Sequence, residues 1–253
     1  MRRPPRLFGL ERSRWRLEDL GRAVPWLRGR ARGSVHRLLR RLGVRYKRGR
    51  AYLHSPDPDY DAKLAAVTAA QMLARAYPGE VVLLYEDEFT YRRRPSVSRA
   101  WAPAGEDAPR AGQGLGTNRQ RRVAACLDAR TGRLLARQRH AFGRRALAAF
   151  LAEVDAAYPE AEAVFVALDN WPVHFHEELL AAPPPRMALL PLPTYAPWTN
   201  PVEDVWRALL GDVLHHHAFG DDWDGLQGAV GAWLDRWADG SDELLRRVGL
   251  WPG

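Results

Sequence analysis

The sequence predicts an α/β fold, a mixed five-stranded sheet flanked by helices and preceded by a small all-helical module. Three observations predict it. Short apolar runs bounded by turn residues recur from residue 81 onward. Helical periodicity fills most of the intervals between them. The first 54 residues are short-helix in pattern and far more basic than the rest. The expected organisation is a basic helical module at 1–53, a linker and helix at 54–79, and an α/β domain at 80–253.

In the N-terminal module, 34–42 reads as a short amphipathic helix. Ser34 is its expected N-cap and Gly43 its stop. Val35, Leu38, Leu39 and Leu42 make one apolar face, leaving His36, Arg37, Arg40 and Arg41 opposite. A preceding helix over about 17–27 completes a helix-turn-helix pattern, whose second helix enters the major groove of DNA. The 54–59 stretch, with Pro56 and Pro58, reads as a linker, and a helix is expected over 61–77. Beyond it come a buried-type strand at 81–85, a hairpin at 122–127 and 133–140, and a helix at 144–157. A strand at 164–168, a helix at about 174–181, a strand at 187–190 and a long helical region from Asn200 finish the chain. Strand, hairpin, helix, strand, helix, strand, helix is the element order of an RNase H-like fold.

Composition narrows the partners. The chain has 253 residues, 46% hydrophobic and 27% charged, as globular proteins do. One cysteine, Cys126, excludes a disulfide scaffold. No stretch approaches the roughly 18 apolar residues of a membrane span, and the basic start leads to more arginine rather than an apolar signal core. The net charge is +8, but residues 1–54 carry +14 and the remainder −6. A GC-rich coding sequence would explain arginine over lysine but not this concentration. The basic head, extended by Arg45, Lys47, Arg48 and Arg50, is expected to bind nucleic acid.

Three carboxylates fall where strand ends would gather them. Asp87 follows the first apolar run, Asp169 follows the fourth strand, and Glu203 opens the helix after the fifth. Groups at the ends of strands collect at one edge of an open α/β sheet. Hard divalent ions take carboxylate oxygens, and phosphoryl transfer uses two of them, with one acid bridging. Glu88, Asn170, His174, Asn200 and Trp206 stand beside the acids as candidate support. Pro201 suits the first helical turn, and Trp206 lies one turn from Glu203, placed to pack that turn on the sheet.

These residues form a recognisable set. Asp87-Glu88, Leu168-Asp169-Asn170 with His174, and Pro193-Thr194-Tyr195-Ala196-Pro197 leading to Asn200-Pro201-Val202-Glu203 and Trp206 resemble a DDE transposase of the bacterial insertion-sequence branch of the mariner-like superfamily. Thirty-three residues separate Asp169 from Glu203, near the family spacing. The Trp101-Ala102-Pro103-Ala104-Gly105 stretch and Ser55-Pro56-Asp57-Pro58 with Lys63 also match. The resemblance implies that Asp87, Asp169 and Glu203 bind two divalent ions, magnesium or manganese, on an RNase H-like core. It implies double-stranded DNA as partner, at terminal inverted repeats and a TA target, with a homodimer pairing two ends. It also implies a bacterial, cytoplasmic and nucleoid-associated protein with no membrane partner. Family members carry a further helix-turn-helix ahead of the one seen here, so the expectation is a chain lacking that first module.

Other features carry less. Three adjacent histidines, His215 to His217, point in different directions on a helix and are expected to be a solvated helix end rather than a metal site. Gly112, Gly114 and Gly116 do not have the spacing of a dinucleotide or phosphate loop. Trp101 and Trp171 are expected to serve the core before any base stacking. Two rival functions stand beside a transposase: a truncated, transposase-derived DNA-binding protein without turnover, and an RNase H-like nuclease of another role.

Overall fold

The computed structural model describes residues 5–11, 14–46, 55–103, 108–169 and 184–250. The chain divides into two compact units, Met1–Tyr52 and Leu53–Gly253.

In the first unit, α1 (Leu17–Ala23) and α2 (Arg32–Arg41) are separated by a 3-10 turn at Pro25–Leu27. Leu20, Leu27 and Val35 are buried, with Trp15, Leu17, Val24, Leu38 and Leu39 packed around them. α1 stops before the expected residue 27. A proline disfavours helix at the residue before it, and Val24 is extended at φ −117°, ψ 105°. α2 starts two residues earlier than expected, so Ser34 is not its N-cap. Ala31 is, and the Ser34 amide already donates to the Ala31 carbonyl at 2.9 Å. Gly43 does end the helix, at φ 72°, where the Val44 amide donates to the Leu39 carbonyl at 2.8 Å. Leu42, at the cap, is 66% exposed and outside the apolar face.

The second unit is built on one sheet. Its strands are β1 (Val81–Arg92), β2 (Gln120–Asp128), β3 (Leu134–Arg139), β4 (Ala163–Leu168) and β5 (Met187–Pro191), in spatial order β3-β2-β1-β4-β5. β2 pairs antiparallel with both β1 and β3, while β4 runs parallel to β1 and β5 parallel to β4. Side chains alternate between the two faces. Val82, Leu84, Ala124, Cys126, Val164 and Val166 face α4 (Arg144–Ala156), which contributes Leu147, Phe150, Leu151 and Val154. Leu83, Tyr85, Val123, Ala125, Leu127 and Ala167 lie in the other core. That core includes α3 (Tyr60–Ala76), α5 (Val202–Leu209), α6 (Trp223–Asp235) and α7 (Asp242–Arg247). The helix expected at the end of the linker is therefore part of this unit: Val67, Ala70 and Ala74 of α3 are buried in its core.

Two elements differ from expectation. β1 does not end at 85. Its antiparallel pairing with β2 runs from Leu84 to Arg92, whereas its parallel pairing with β4 stops at Tyr85 and Ala167. The region from Asn200 is not one long helix. α5 continues as a π-helical turn, Leu210–Leu214, then breaks at His215, which is extended, and His216, at φ 53°. The three histidines brace loops rather than a solvated helix end. His215 Nδ1 lies 2.8 Å from Ser96 Oγ, the Ser98 amide donates to His216 Nε2 at 2.9 Å, and the Phe219 amide donates to His217 Nδ1 at 3.1 Å. The helix expected at about 174–181 lies outside the described residues. No described helix is long and apolar enough to cross a membrane.

The β2–β3 turn seats the C-terminal helix. Asp128 Oδ1 accepts from the amides of Arg130 and Thr131, and the Thr131 carbonyl accepts from the Ser241 amide at 2.9 Å, at the N-cap of α7. Gly132 has φ 67°, and a Cβ there would stand 2.3 Å from the Ser241 carbonyl oxygen. Gly132→Ala is therefore expected to cost about 1–3 kcal/mol. Urea unfolding checks this: the midpoint should fall with an unchanged m-value.

Candidate active site

β1 and β4 bring two of the three acids together. The last β1–β4 pair is Tyr85 with Ala167, and both residues face the core shared with α5. Asp87 lies two residues further along β1, on that face, and Asp169 lies one residue past the end of β4. β4 pairing has ended there, which leaves the β4-side edge of β1 open while β2 still holds its other edge. Glu203 comes from the first turn of α5, which packs on the same face. All three acids line one cavity of about 380 Å³, together with Leu192, Thr194, Tyr195, Asn200 and neighbouring residues.

Trp206 and Asn200 fix this corner. Trp206 is buried and its indole stacks on Phe89 of β1, with ring centres 5.4 Å apart. Its Nε1–H donates to Asp87 Oδ2 at 2.9 Å. Trp206 thus packs α5 on the sheet, as the spacing suggests, and also orients an acid. Asn200 is buried; its Nδ2 donates to the Glu86 carbonyl at 2.9 Å and its Oδ1 accepts from the Val202 amide at 3.2 Å. It ties the start of α5 to the strand that carries Asp87.

Glu88 does not join the site. Because β1 continues as a strand through Arg92, residue 88 points to the opposite face from Asp87, and its charge falls near Cys126 in the α4-side core. Asn170 and His174 lie outside the described residues, as does Trp171. Asp204 forms an ion pair with Arg207 on α5 and does not line the cavity. Trp101, expected in the core, is fully exposed.

In the first unit, His36, Arg37, Arg40, Arg41 and Arg45 are exposed. Ser34 is half-buried, and its Oγ accepts from Arg37 Nη2 at 3.4 Å. A groove of about 820 Å³ is lined by Arg14, Arg16, Arg32, His36 and Arg45 with Trp15 between them. Lys47, Arg48 and Arg50 lie outside the described residues.

Residues 82–224 match the DDE superfamily endonuclease family, more than half of the chain. The chain belongs to this family. A curated relative is the 39 kDa protein of insertion element IS630 from Shigella sonnei, 27% identical over 220 residues. That match covers 85% of this chain, and the chain spans 63% of the relative's length. Among solved structures, the Mos1 transposase paired-end complex with the left transposon end is similar at TM-score 0.62 and 16% identity, covering 95% of this chain and 76% of that one. The mariner Mos1 paired-end complex with Mg is similar at TM-score 0.60 and 15% identity, covering 95% and 79%. At such identities these two structures establish the fold, which is the RNase H-like sheet expected from the sequence.

The stretch matched to the DDE endonucleases contains all three acids, and their electrostatics are unfavourable without a cation. Asp87 is pushed up to about 7, chiefly by burial and further by the charges of Glu203 and Asp169, with the Trp206 hydrogen bond opposing. Glu203 is raised by burial and by Asp204 and Asp169, with Arg207 opposing. An all-oxygen donor set under this strain fits hard divalent ions. Among the described residues no three His, Cys, Asp or Glu side chains converge on a single metal position.

The sign of the linkage gives a test on metal-free protein. Asp87 titrates near 7 in the fold and near 3.9 in an unfolded chain. The folded state binds more protons between those values, so stability falls as pH rises through them. Asp87→Asn removes this penalty. In EDTA at pH 8 the variant should melt about 2–8 °C higher, roughly 1–2 kcal/mol after solvent screening. The gain should vanish near pH 4. Equal melting temperatures at pH 8 would reject the raised carboxyl.

Proposed function

We propose that this protein is a DNA transposase that cuts at element ends and transfers the freed 3′ hydroxyl into target DNA. The observation that carries this reading is the gathering of Asp87, Asp169 and Glu203 on one cavity at the open end of the β1–β4 pairing. The names of the relatives support it: one belongs to an insertion element, and two are transposase complexes at paired ends. Asp87, Asp169 and Glu203 would hold two divalent ions, magnesium or manganese; solved Mos1 complexes named with each metal support that choice. When bound, such ions supply charge stabilisation at the scissile phosphate and a more acidic attacking water or hydroxyl.

The chain's own residues do the rest. Trp206 holds Asp87 by its Oδ2, at the cavity that Asp169 and Glu203 also line. Asn200 sets the start of α5, and with it the reach of Glu203. No side-chain nucleophile is needed, because water and the 3′ hydroxyl attack phosphorus directly. His36, Arg37, Arg40, Arg41 and Arg45, exposed on the first unit, grip double-stranded DNA, and Ser34 supports Arg37. Two copies would pair two terminal inverted repeats on the bacterial nucleoid.

Cleavage of a labelled duplex carrying the repeat that flanks the gene tests the chemistry, with magnesium, manganese or EDTA. Asp87→Asn, Asp169→Asn and Glu203→Gln should each lower cutting by a factor of about 10³ or more while DNA affinity stays within about threefold. Metal-dependent cutting retained in all three variants would sink the assignment. Binding without cutting by the unmodified chain would favour a DNA-binding protein without turnover.

The basic head is tested separately by salt dependence. Arg40→Ala or Arg41→Ala should weaken binding on any duplex sequence and reduce the slope of log K against log salt by about 1 each. A loss confined to one sequence would instead assign that arginine to base reading.

A further inference from the structure

One wall of the carboxylate cavity is held by residues from far upstream. Ser55 Oγ donates to the Thr194 carbonyl at 2.5 Å, and the Thr194 N–H donates to Asp57 Oδ2 at 2.7 Å. Both main-chain polar groups of Thr194 are therefore taken by side chains 139 and 137 positions earlier in the chain. The same Asp57 oxygen accepts from Lys63 Nζ at 2.7 Å, and Lys63 sits in the first turn of α3. Asp57 Oδ1 accepts from the Asp59 amide at 3.0 Å, which shapes the turn into α3. Asp57's side chain is only 3% exposed. Lys63 and the Thr194 amide hold its carboxyl far below the usual carboxylate range.

What this hook holds is unusual. Tyr195, the next residue, has φ 54°, in the left-handed region that costs a bulky side chain about 1–2 kcal/mol. Such a conformation persists only where its surroundings over-determine it. Here the hook fixes the residue before it. After it, Ala196 is buried and its carbonyl accepts from Thr199 Oγ1 at 2.7 Å. At the ends of the wall, the Leu192 amide donates to the Leu168 carbonyl at 2.8 Å, and Asn200 is tied to Glu86. Tyr195 is left 67% exposed on the cavity that the three acids line.

We infer that Ser55 and Asp57 are positioning residues for strand cleavage. Acting through Thr194, they keep Tyr195 left-handed, so that its ring stands against the nucleotide beside the scissile phosphate. An exposed aromatic face is a sequence-tolerant platform for a nucleobase, and it would place the phosphate against the acids. The catalytic part of this inference rests on the transposase reading above.

Hydrogen exchange and cleavage by the full chain test it together. In Asp57→Ala, the amides of Leu192, Thr194, Tyr195, Ala196 and Trp198 should exchange about tenfold faster, with β1 and β4 unchanged. The kcat on an element-end duplex should fall about tenfold or more. Asp57→Asn keeps an acceptor for the Thr194 amide and should recover part of both losses. Tyr195→Ala should lower kcat by a similar factor, and the Asp57→Ala/Tyr195→Ala double variant should fall little further. Unchanged exchange and kcat in Asp57→Ala would overturn the inference, as would additive losses in the double variant. Faster exchange across the whole sheet would also overturn it, by making Asp57 a general stabiliser. A wild-type chain that cuts no DNA in either metal defeats the transposase reading, and with it the catalytic role. Exchange in 192–198 then still decides whether the hook shapes the wall.

Discussion

The parallel pairing of β1 with β4 stops at Tyr85 and Ala167 while β1 itself runs on to Arg92, and the site depends on that mismatch. A strand paired on both sides would bury its next residues between neighbours. Here β2 keeps the β1 backbone in register, so Asp87 has a fixed direction, yet the other edge is open to the cavity. Alternation then sends Asp87 to the cavity's face, and Asp169 follows directly on the end of β4. A shift of one residue in the β1–β4 register would carry the end of β4, and Asp169 with it, out of step with Asp87. The apolar residues that prevent this slip are the ones directly before the acids: Val82 and Leu84 pack toward α4, Leu83 and Tyr85 toward α5 and α6.

The helix that brings Glu203 is held by the same strand. Trp206 stacks on Phe89 and donates to Asp87, while Asn200 reaches the Glu86 carbonyl. Residues 86, 87 and 89 of one strand therefore fix both ends of the turn that carries Glu203. Apolar packing of α5 supplies most of the adhesion: Val202, Val205, Trp206 and Leu209 are all buried in one core. The polar contacts set the direction of the acids, since a net hydrogen bond contributes only about 1 kcal/mol.

Much of this was legible in the sequence, and the parts that were not share a cause. The runs at 81–85, 164–168 and 187–190 announce strands because they are short, apolar and bounded by turns. The continuation of β1 was missed because Glu86, Glu88 and Arg92 make it look polar. Its signal was present all the same: Tyr85, Phe89 and Tyr91 fall on one face at a period of two, broken only by Asp87. Reading that alternation would also have sent Glu88 to the far face. Ser34 misled because a good capping residue lies inside α2, where Ala31 takes the cap with its carbonyl alone. The hook of Ser55 and Asp57 on Thr194 lay beyond any local pattern, because it joins residues 137–139 positions apart. Only the motif residues were visible, not their contact.

The acids differ in burial in a way that bears on how the site works. Asp169 is exposed at the end of β4, whereas Asp87 and Glu203 are half-buried and raised by it. A raised carboxyl must give up its proton before it can serve as an anionic ligand, so cation binding at the proposed site would release protons and strengthen as pH rises. Trp206 works in the same direction, because its N–H favours the charged form of Asp87. The indole thus offsets part of the penalty that its own bulk creates by excluding water. Replacing it with a smaller apolar residue would admit solvent and remove the donor together, two changes with opposite effects on the Asp87 carboxyl. Its packing and its hydrogen bond are for that reason one device, and the site keeps a partly buried acid both oriented and ionisable near neutral pH.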